Sequence, residues 1–444
     1  MAALDLRLRV PSPDLLALPW REPLATWDMT AVAFRDVPVG PSRHLVRFVE
    51  ADDRLWALKD LPARVAHKEY AALRAMEDRG LAAVRAAGVV LQPVDDAAIL
   101  VTHYLERSWQ YRRLLMRVPA TAAPRGRLFD AMAALLVDLH RTGIYWGDCS
   151  LANTLFMRDG QFIQAWLVDA ETAELHPSLS DGQRALDLEI MTENVTGGLL
   201  DVAARREEPP SATALIFAEA RSVAARYEQL WALLHDEPVI GLGEQEQIAG
   251  RLRALEDHGF AIDEVRLEAA DGAAPPGADR LRLKVQVAAR TFHADRVRGL
   301  TGLRAGQGQA RILSDDLRAD HERRRRADPD ISVEESARRW VLEVFGPGAD
   351  RAHAAVGFNG DRAQAYCDLL EVRWLLSEEA GHDVGDGPAL AALAARVAPD
   401  DSAANMAFVD LPTAELPAIS DAVIDTLTAS EGSAASSRDR PDDP

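Results

Sequence analysis

"HRTGIYWGDCSLANTLFMRDGQFIQAWLVDAE", His140 to Glu171, is the stretch whose reading decides the fold. Three polar side chains, Asp148, Asn153 and Asp169, punctuate an otherwise apolar run. "TLFM" and "QFIQAWLV" alternate around "RDG", where Asp159-Gly160 favours a tight turn, so the pattern predicts a small hairpin. Asp148 and Asn153 fall in the loop before it, and Asp169 closes its second strand. A hairpin folds its two ends together, so the three side chains can converge. Taken singly, Asp148 and Asn153 read as turn formers and Asp169 as a strand end. Together they suit magnesium and phosphate chemistry. Magnesium is a hard ion that takes oxygen ligands, often one or two side chains plus substrate phosphates. The remaining carboxylate can orient a hydroxyl and accept its proton.

Working outward, "HLVRFVE" and "RLWALKDL" alternate about the turn "ADD" as a hairpin does. "RVAHKEYAALRAMED" predicts a helix with Val65, Leu73 and Met76 on one face, stopped by Gly80. "GVVLQPV" and "AAILVTHYL" predict two further strands. "RGRLFDAMAALLVDLHRTG" predicts a long helix closed by Gly143. Strands, one helix, strands and then helices is an α+β order.

"GDCSLANTLF" followed by "LVDAE" resembles the catalytic loop and metal-binding segment of the protein-kinase-like superfamily. The "G-D" opening is closest to lipopolysaccharide-core kinases and aminoglycoside phosphotransferases. The two-part chain also resembles actinobacterial lipopolysaccharide-kinase-like proteins that carry an uncharacterised C-terminal domain. The resemblance implies a bilobal kinase-like α+β fold followed by a smaller α/β or mostly helical C-terminal domain. "RLRLKVQVAA" (280–289) is the clearest strand of that second part. The expected divisions are an N-terminal extension at 1–24, a kinase-like domain at 25–235, the C-terminal domain at 240–412 and a disordered tail at 428–444.

By the same resemblance, Asp148 matches the catalytic base, Asn153 and Asp169 the metal ligands, and Lys59 the lysine on the α/β-phosphates. Glu69 matches the helix glutamate that pairs with that lysine. On a helical wheel Glu69 falls in the middle of the Val65, Leu73 and Met76 face, where a carboxylate needs a cation. "LVTHYL" resembles the hinge, with the His103 carbonyl and Leu105 amide toward adenine. Asp187 resembles the acid that buttresses the catalytic loop. ATP and Mg²⁺ are the implied cofactors. No Gly-rich loop precedes Lys59, where "VPVGPSR" offers Gly40 alone, and "DAE" replaces Asp-Phe-Gly.

The implied activity is a Mg-ATP-dependent phosphotransferase acting on a hydroxyl. The alternative is a pseudokinase, a nucleotide-binding scaffold that regulates the C-terminal domain. A small molecule, a saccharide or a protein side chain all fit as acceptor, and the oligomeric state is open. Fifty Lys and Arg against seventy Asp and Glu give a net charge of −20, which disfavours nucleic acid and anionic membranes. No apolar run is long enough for a membrane span and no signal peptide is evident. With two distant cysteines, Cys149 and Cys367, a reducing cytoplasm is the expected location. Cys149 reads as a small packing residue and His140 as a capping or core histidine. "HERRRR" (321–326) reads as a solvated helix face paired with Asp315, Asp316 and Asp320. Trp374, Leu375 and Leu376 read as core.

Overall fold

The computed structural model describes residues 4–10, 12–37, 43–93, 96–116, 124–241, 244–269, 280–288, 291–358 and 360–396. Gly40 and the 428–444 tail lie outside the described residues.

The first lobe is a six-stranded antiparallel sheet with one long helix. The chain enters through β1 (Asp5–Leu8), a short helix α1 (Pro13–Leu16) and β2 (Phe34–Arg35). The hairpin β3 (Val46–Ala51) and β4 (Arg54–Pro62) follows, then helix α2 (Ala63–Asp78) and strands β5 (Ala86–Leu91) and β6 (Ala97–His103). The sheet order is β1-β5-β6-β4-β3-β2. Between β3 and β4 the two loop residues, Asp52 and Asp53, both have left-handed φ of 50° and 55°. That twist suits a two-residue hairpin, and Asp tolerates it better than most side chains.

Alternation along β4 splits its side chains between two faces. Trp56 and Leu58 join Val49, Ile99 and Val101 in one apolar cluster, while Leu61 joins Leu100 and the apolar face of α2 in another. Lys59 shares the α2 side. The outer face is covered by the N-terminal segment itself: Leu15, Trp20, Leu24, Trp27 and Val32 are all buried there. Each indole finds a carbonyl, Trp20 at Leu15 and Trp27 at Glu22. The segment expected as an extension is therefore an edge strand plus a lid on the sheet.

The second lobe opens with β7 (Trp109–Gln110), α3 (Tyr111–Leu115) and α4 (Pro124–Arg141). Then come β8 (Ile144–Tyr145), the hairpin β9 (Thr154–Asp159) and β10 (Phe162–Leu167), and β11 (Glu174–Leu175). Two long helices follow, α5 (Asp181–Arg205) and α6 (Ala212–His235). Ser180 and Gln183 form a reciprocal capping box that starts α5 sharply. The hairpin lies on α4, and α4, α5 and α6 share one core with the inner face of the sheet.

Next come β12 (Val239–Gly241), α7 (Gln245–Asp257), β13 (Ile262–Ala269) and β14 (Arg280–Val287), with strand order β12-β14-β13. Leu255 and Phe260 belong to the core shared by the two lobes, and Val285 and Val287 pack against it. From here the chain is helical: α8 (Phe292–Thr301), α9 (Gln307–Ala327), α10 (Val333–Trp340), α11 (Gly346–Ala355), α12 (Arg362–Ala380) and α13 (Asp386–Arg396). Their own core holds Leu313, Trp340, Phe345, Tyr366 and Leu393. So an α+β bilobal part precedes a mostly helical one, and the strand expected in "RLRLKVQVAA" (280–289) is β14.

Three side-chain expectations in the helical part resolve unevenly. Asp320 pairs with Arg323 and Arg324, and Asp315 with Arg318. Asp316 instead accepts from Trp340 Nε1 and Tyr366 Oη, both at 2.8 Å. Trp374 is not core but 55% exposed. Val372 is buried and Leu376 only packs on the edge of the cluster, so the helix turns Trp374 outward. Among the described residues no helix is long and apolar enough to cross a membrane.

Candidate active site

Between the lobes lies a cleft of about 700 Å³, lined by Lys59, Glu69, His103, Leu105, Asp148, Asn153 and Asp169. That volume is in the range of small-molecule and cofactor pockets. The structure thus brings together every site residue expected from sequence except Gly40, which is not described.

Lys59 projects from β4 toward α2. Its Nζ lies 3.1 Å from Glu69 Oε2, 2.8 Å from Asp169 Oδ2 and 3.7 Å from Glu171 Oε2. Glu69 is almost fully buried, and its other oxygen accepts from the Ala170 amide at 3.3 Å. Burial, with the Asp169 charge behind it, pushes Glu69 up to about 7 against the opposing pull of Lys59. For Lys59 burial works against the charge, but Glu69 and Asp169 outweigh it and hold the ammonium above its ordinary range. Three carboxylates thus face one lysine. Glu171 also meets His44 Nε2 at 3.1 Å, across the cleft from the strand side.

The loop carrying Asp148 is fixed from beneath. Asp187, on α5 and fully buried, accepts from the amides of Trp146 at 2.8 Å and Gly147 at 2.9 Å. His140 bridges Asp187 and the Tyr227 hydroxyl at 3.0 and 2.8 Å, so it is a core histidine with both ring nitrogens engaged. The left-handed φ of 77° at Gly147 favours glycine, and a Cβ there would also crowd Tyr145 and Thr172. Trp146 is buried and donates its indole N–H to the Asp169 carbonyl at 3.2 Å, which ties the loop to the far end of the hairpin.

Two amides grip the Asp148 carboxylate. Asn153 Nδ2 donates to Oδ2 and Asn194 Nδ2 to Oδ1, each at 3.0 Å. Burial raises the Asp148 pKa, and these two bonds work against that rise. With its nitrogen committed to Asp148, Asn153 has its amide oxygen left for a ligand. An amide oxygen, the Asp169 carboxylate and a surplus of negative charge about Lys59 fit a hard divalent ion that also holds phosphates. Cys149 is fully buried and its thiol is pushed well up, so it packs rather than reacts.

Asn194, Glu171 and His44 were not singled out from sequence. Glu171 could have been: it stands two residues after Asp169 in the "DAE" that departs from Asp-Phe-Gly. Asn194 lies inside a long amphipathic helix, where a polar residue reads as solvent-facing. Only residues 170–180 separate Asp169 from α5, so the α5 positions Asn194, Gly197 and Asp201 border the cleft directly.

Residues 51–206 match the model of the lipopolysaccharide kinase (Kdo/WaaP) family, and residues 229–397 match a domain of unknown function (DUF4032). The chain is also similar to a solved structure described as WaaP in complex with acyl carrier protein. That likeness has 18% identity and a TM-score of 0.33, over 51% of this chain and 100% of that one. No curated protein matches. The first match spans Lys59, Glu69, Asp148, Asn153, Asp169 and Asp187. The N-terminal part is kinase-like, and the helical region falls within the second match.

Proposed function

We propose that this chain transfers the γ-phosphoryl group of Mg-ATP to a hydroxyl of its acceptor. Asp148 orients the hydroxyl and accepts its proton, held in place by Asn153 and Asn194. Lys59 neutralises the α/β-phosphates, positioned by Glu69. Asn153 and Asp169 would hold the metal, which would supply positive charge to offset that of the phosphates. The His103 carbonyl and Leu105 amide serve adenine. The observation that carries the reading is the pair of amides on Asp148, in a cleft that is also lined by Lys59 and its carboxylates.

The short 170–180 segment provides no long ledge for an extended polypeptide, which favours a small molecule or saccharide over a protein acceptor. A need for ATP and two unpaired cysteines support a cytoplasmic setting for this activity. The pseudokinase alternative draws on the missing Gly-rich loop. One experiment separates the two. Asp148→Asn should keep magnesium-dependent nucleotide binding yet lose ATP turnover by about 10²–10⁴-fold. Equal turnover by wild type and variant would leave only the scaffold reading.

A further inference from the structure

The hairpin β9–β10 has two functional feet. Asn153 directly precedes β9, and Asp169 follows the end of β10 by two residues. Its register is unbroken from Thr154–Leu167 to Asp159–Phe162, so tip and feet are joined by a stiff ladder about 20 Å long. A two-residue turn can end in solvent without partners. This one does not.

Arg158, Asp159 and Gly160 at the tip are each met by the helical C-terminal region. The Asp159 carboxylate accepts from the amides of Gly308 and Gln309, both at 2.9 Å, in the first turn of α9. Gln364 on α12 reads the Gly160 peptide on both sides, accepting its N–H at 2.8 Å and donating to its carbonyl at 2.9 Å. Arg158 makes a two-pronged pair with the buried Asp368, at 3.1 and 2.5 Å. Gln309 Nε2 joins the two helices by donating to Gln364 Oε1 and Asp361 Oδ2. A Cβ on Gly308 would run into the Asp159 carbonyl, and one on Gly160 into the Gly308 backbone. The approach is backbone to backbone. Arg107, four residues beyond His103, adds a second strut to Asp361 at 3.6 Å.

An interlock built of charge and amides stabilises little compared with apolar packing of the same volume. What a fully satisfied polar network does supply is one defined geometry. We propose that the C-terminal region sets the position of Asn153 and Asp169 by holding the hairpin tip, which makes Asp159, Gly308 and Gln364 positioning residues of phosphoryl transfer. This rests on the phosphotransferase reading above. None of the three lines the cleft, so they act on the metal ligands only through the hairpin.

The test uses the full chain with Gly308→Ala, Gln364→Ala and Asp159→Asn. A fluorescent ATP analogue is titrated in EDTA and then with increasing magnesium, while amide exchange is followed over 154–167. Variants that still melt cooperatively should need about tenfold more magnesium for half-saturation, with binding in EDTA unchanged and exchange of β9 and β10 accelerated. Gly308→Ala is the most disruptive; if it does not fold, the other two decide. Variants that melt earlier yet take up magnesium as wild type does would overturn the inference, since the interlock would then be merely structural. A wild-type chain with no magnesium-dependent nucleotide binding would instead remove the phosphotransferase reading, and this inference with it.

Discussion

The two ends of the β9–β10 hairpin carry polar clusters built alike from a base, carboxylates and amides, and arranged to opposite effect. At the feet, Lys59 faces three carboxylates, and the Asp169 and Glu171 side chains are 29% and 28% exposed to the cleft. At the tip, Arg158 balances Asp368, and Asp159 is matched by helix amides, with the carboxylates almost wholly enclosed. The open cluster carries unbalanced negative charge on oxygens that reach the cleft. In the closed one the carboxylates are engaged by an arginine or by helix amides and shut away from solvent. Composition alone does not distinguish a site from a joint; access and engagement do.

The comparison is easiest to break at the tip. Asp368→Ala leaves Arg158 uncompensated and is expected to cost about 3–5 kcal/mol by denaturant unfolding. The double replacement Arg158→Met with Asp368→Leu should recover most of that, because a buried pair contributes geometry more than energy. If the double variant is as unstable as the single one, the tip is an energetic anchor and the contrast with the feet is wrong.

At the feet the sharper probe is pH. Glu69 has its folded pKa raised from 4.5 to about 7, so the folded state holds an extra proton between those values. Its contribution to stability is fully present below about 4.5 and fades as pH rises through about 7. Glu69→Gln should therefore lose less stability than wild type on going from pH 4.5 to pH 8, by about 2–4 °C in melting temperature. Parallel curves for the two proteins would contradict the burial argument. The smallest effect belongs to the surface. Trp374→Ser should change stability by no more than about 0.5 kcal/mol. A larger loss would mean that this face of α12 is covered in solution.

Much of the fold was legible because it is written in local periods. The β3–β4 hairpin, α2, α4 and the β9–β10 turn each follow from alternation, helical spacing or a turn residue within one short window. The convergence of Asp148, Asn153 and Asp169 followed from hairpin geometry, and Glu69 from its place on an apolar helix face. What stayed hidden depends on distant partners. Trp20 and Trp27 sit in an aperiodic stretch whose burial exists only once the sheet is formed. Asn194 looks like any polar residue on an outer helix face. The tip interlock joins Asp159 and Gly160 to partners 149 to 204 residues away, and Asp159-Gly160 reads as a complete turn without it. Trp374 misled for the converse reason: an apolar residue in an amphipathic run counts as core until the neighbouring helices are placed.

The most direct test of the central claim is a magnesium titration of ATP binding by wild type and Asp169→Asn, each with an EDTA baseline. The account expects wild-type affinity to rise with magnesium, and the variant to keep the baseline while losing that rise. Identical magnesium dependence in both proteins, or no nucleotide bound by either, would contradict it.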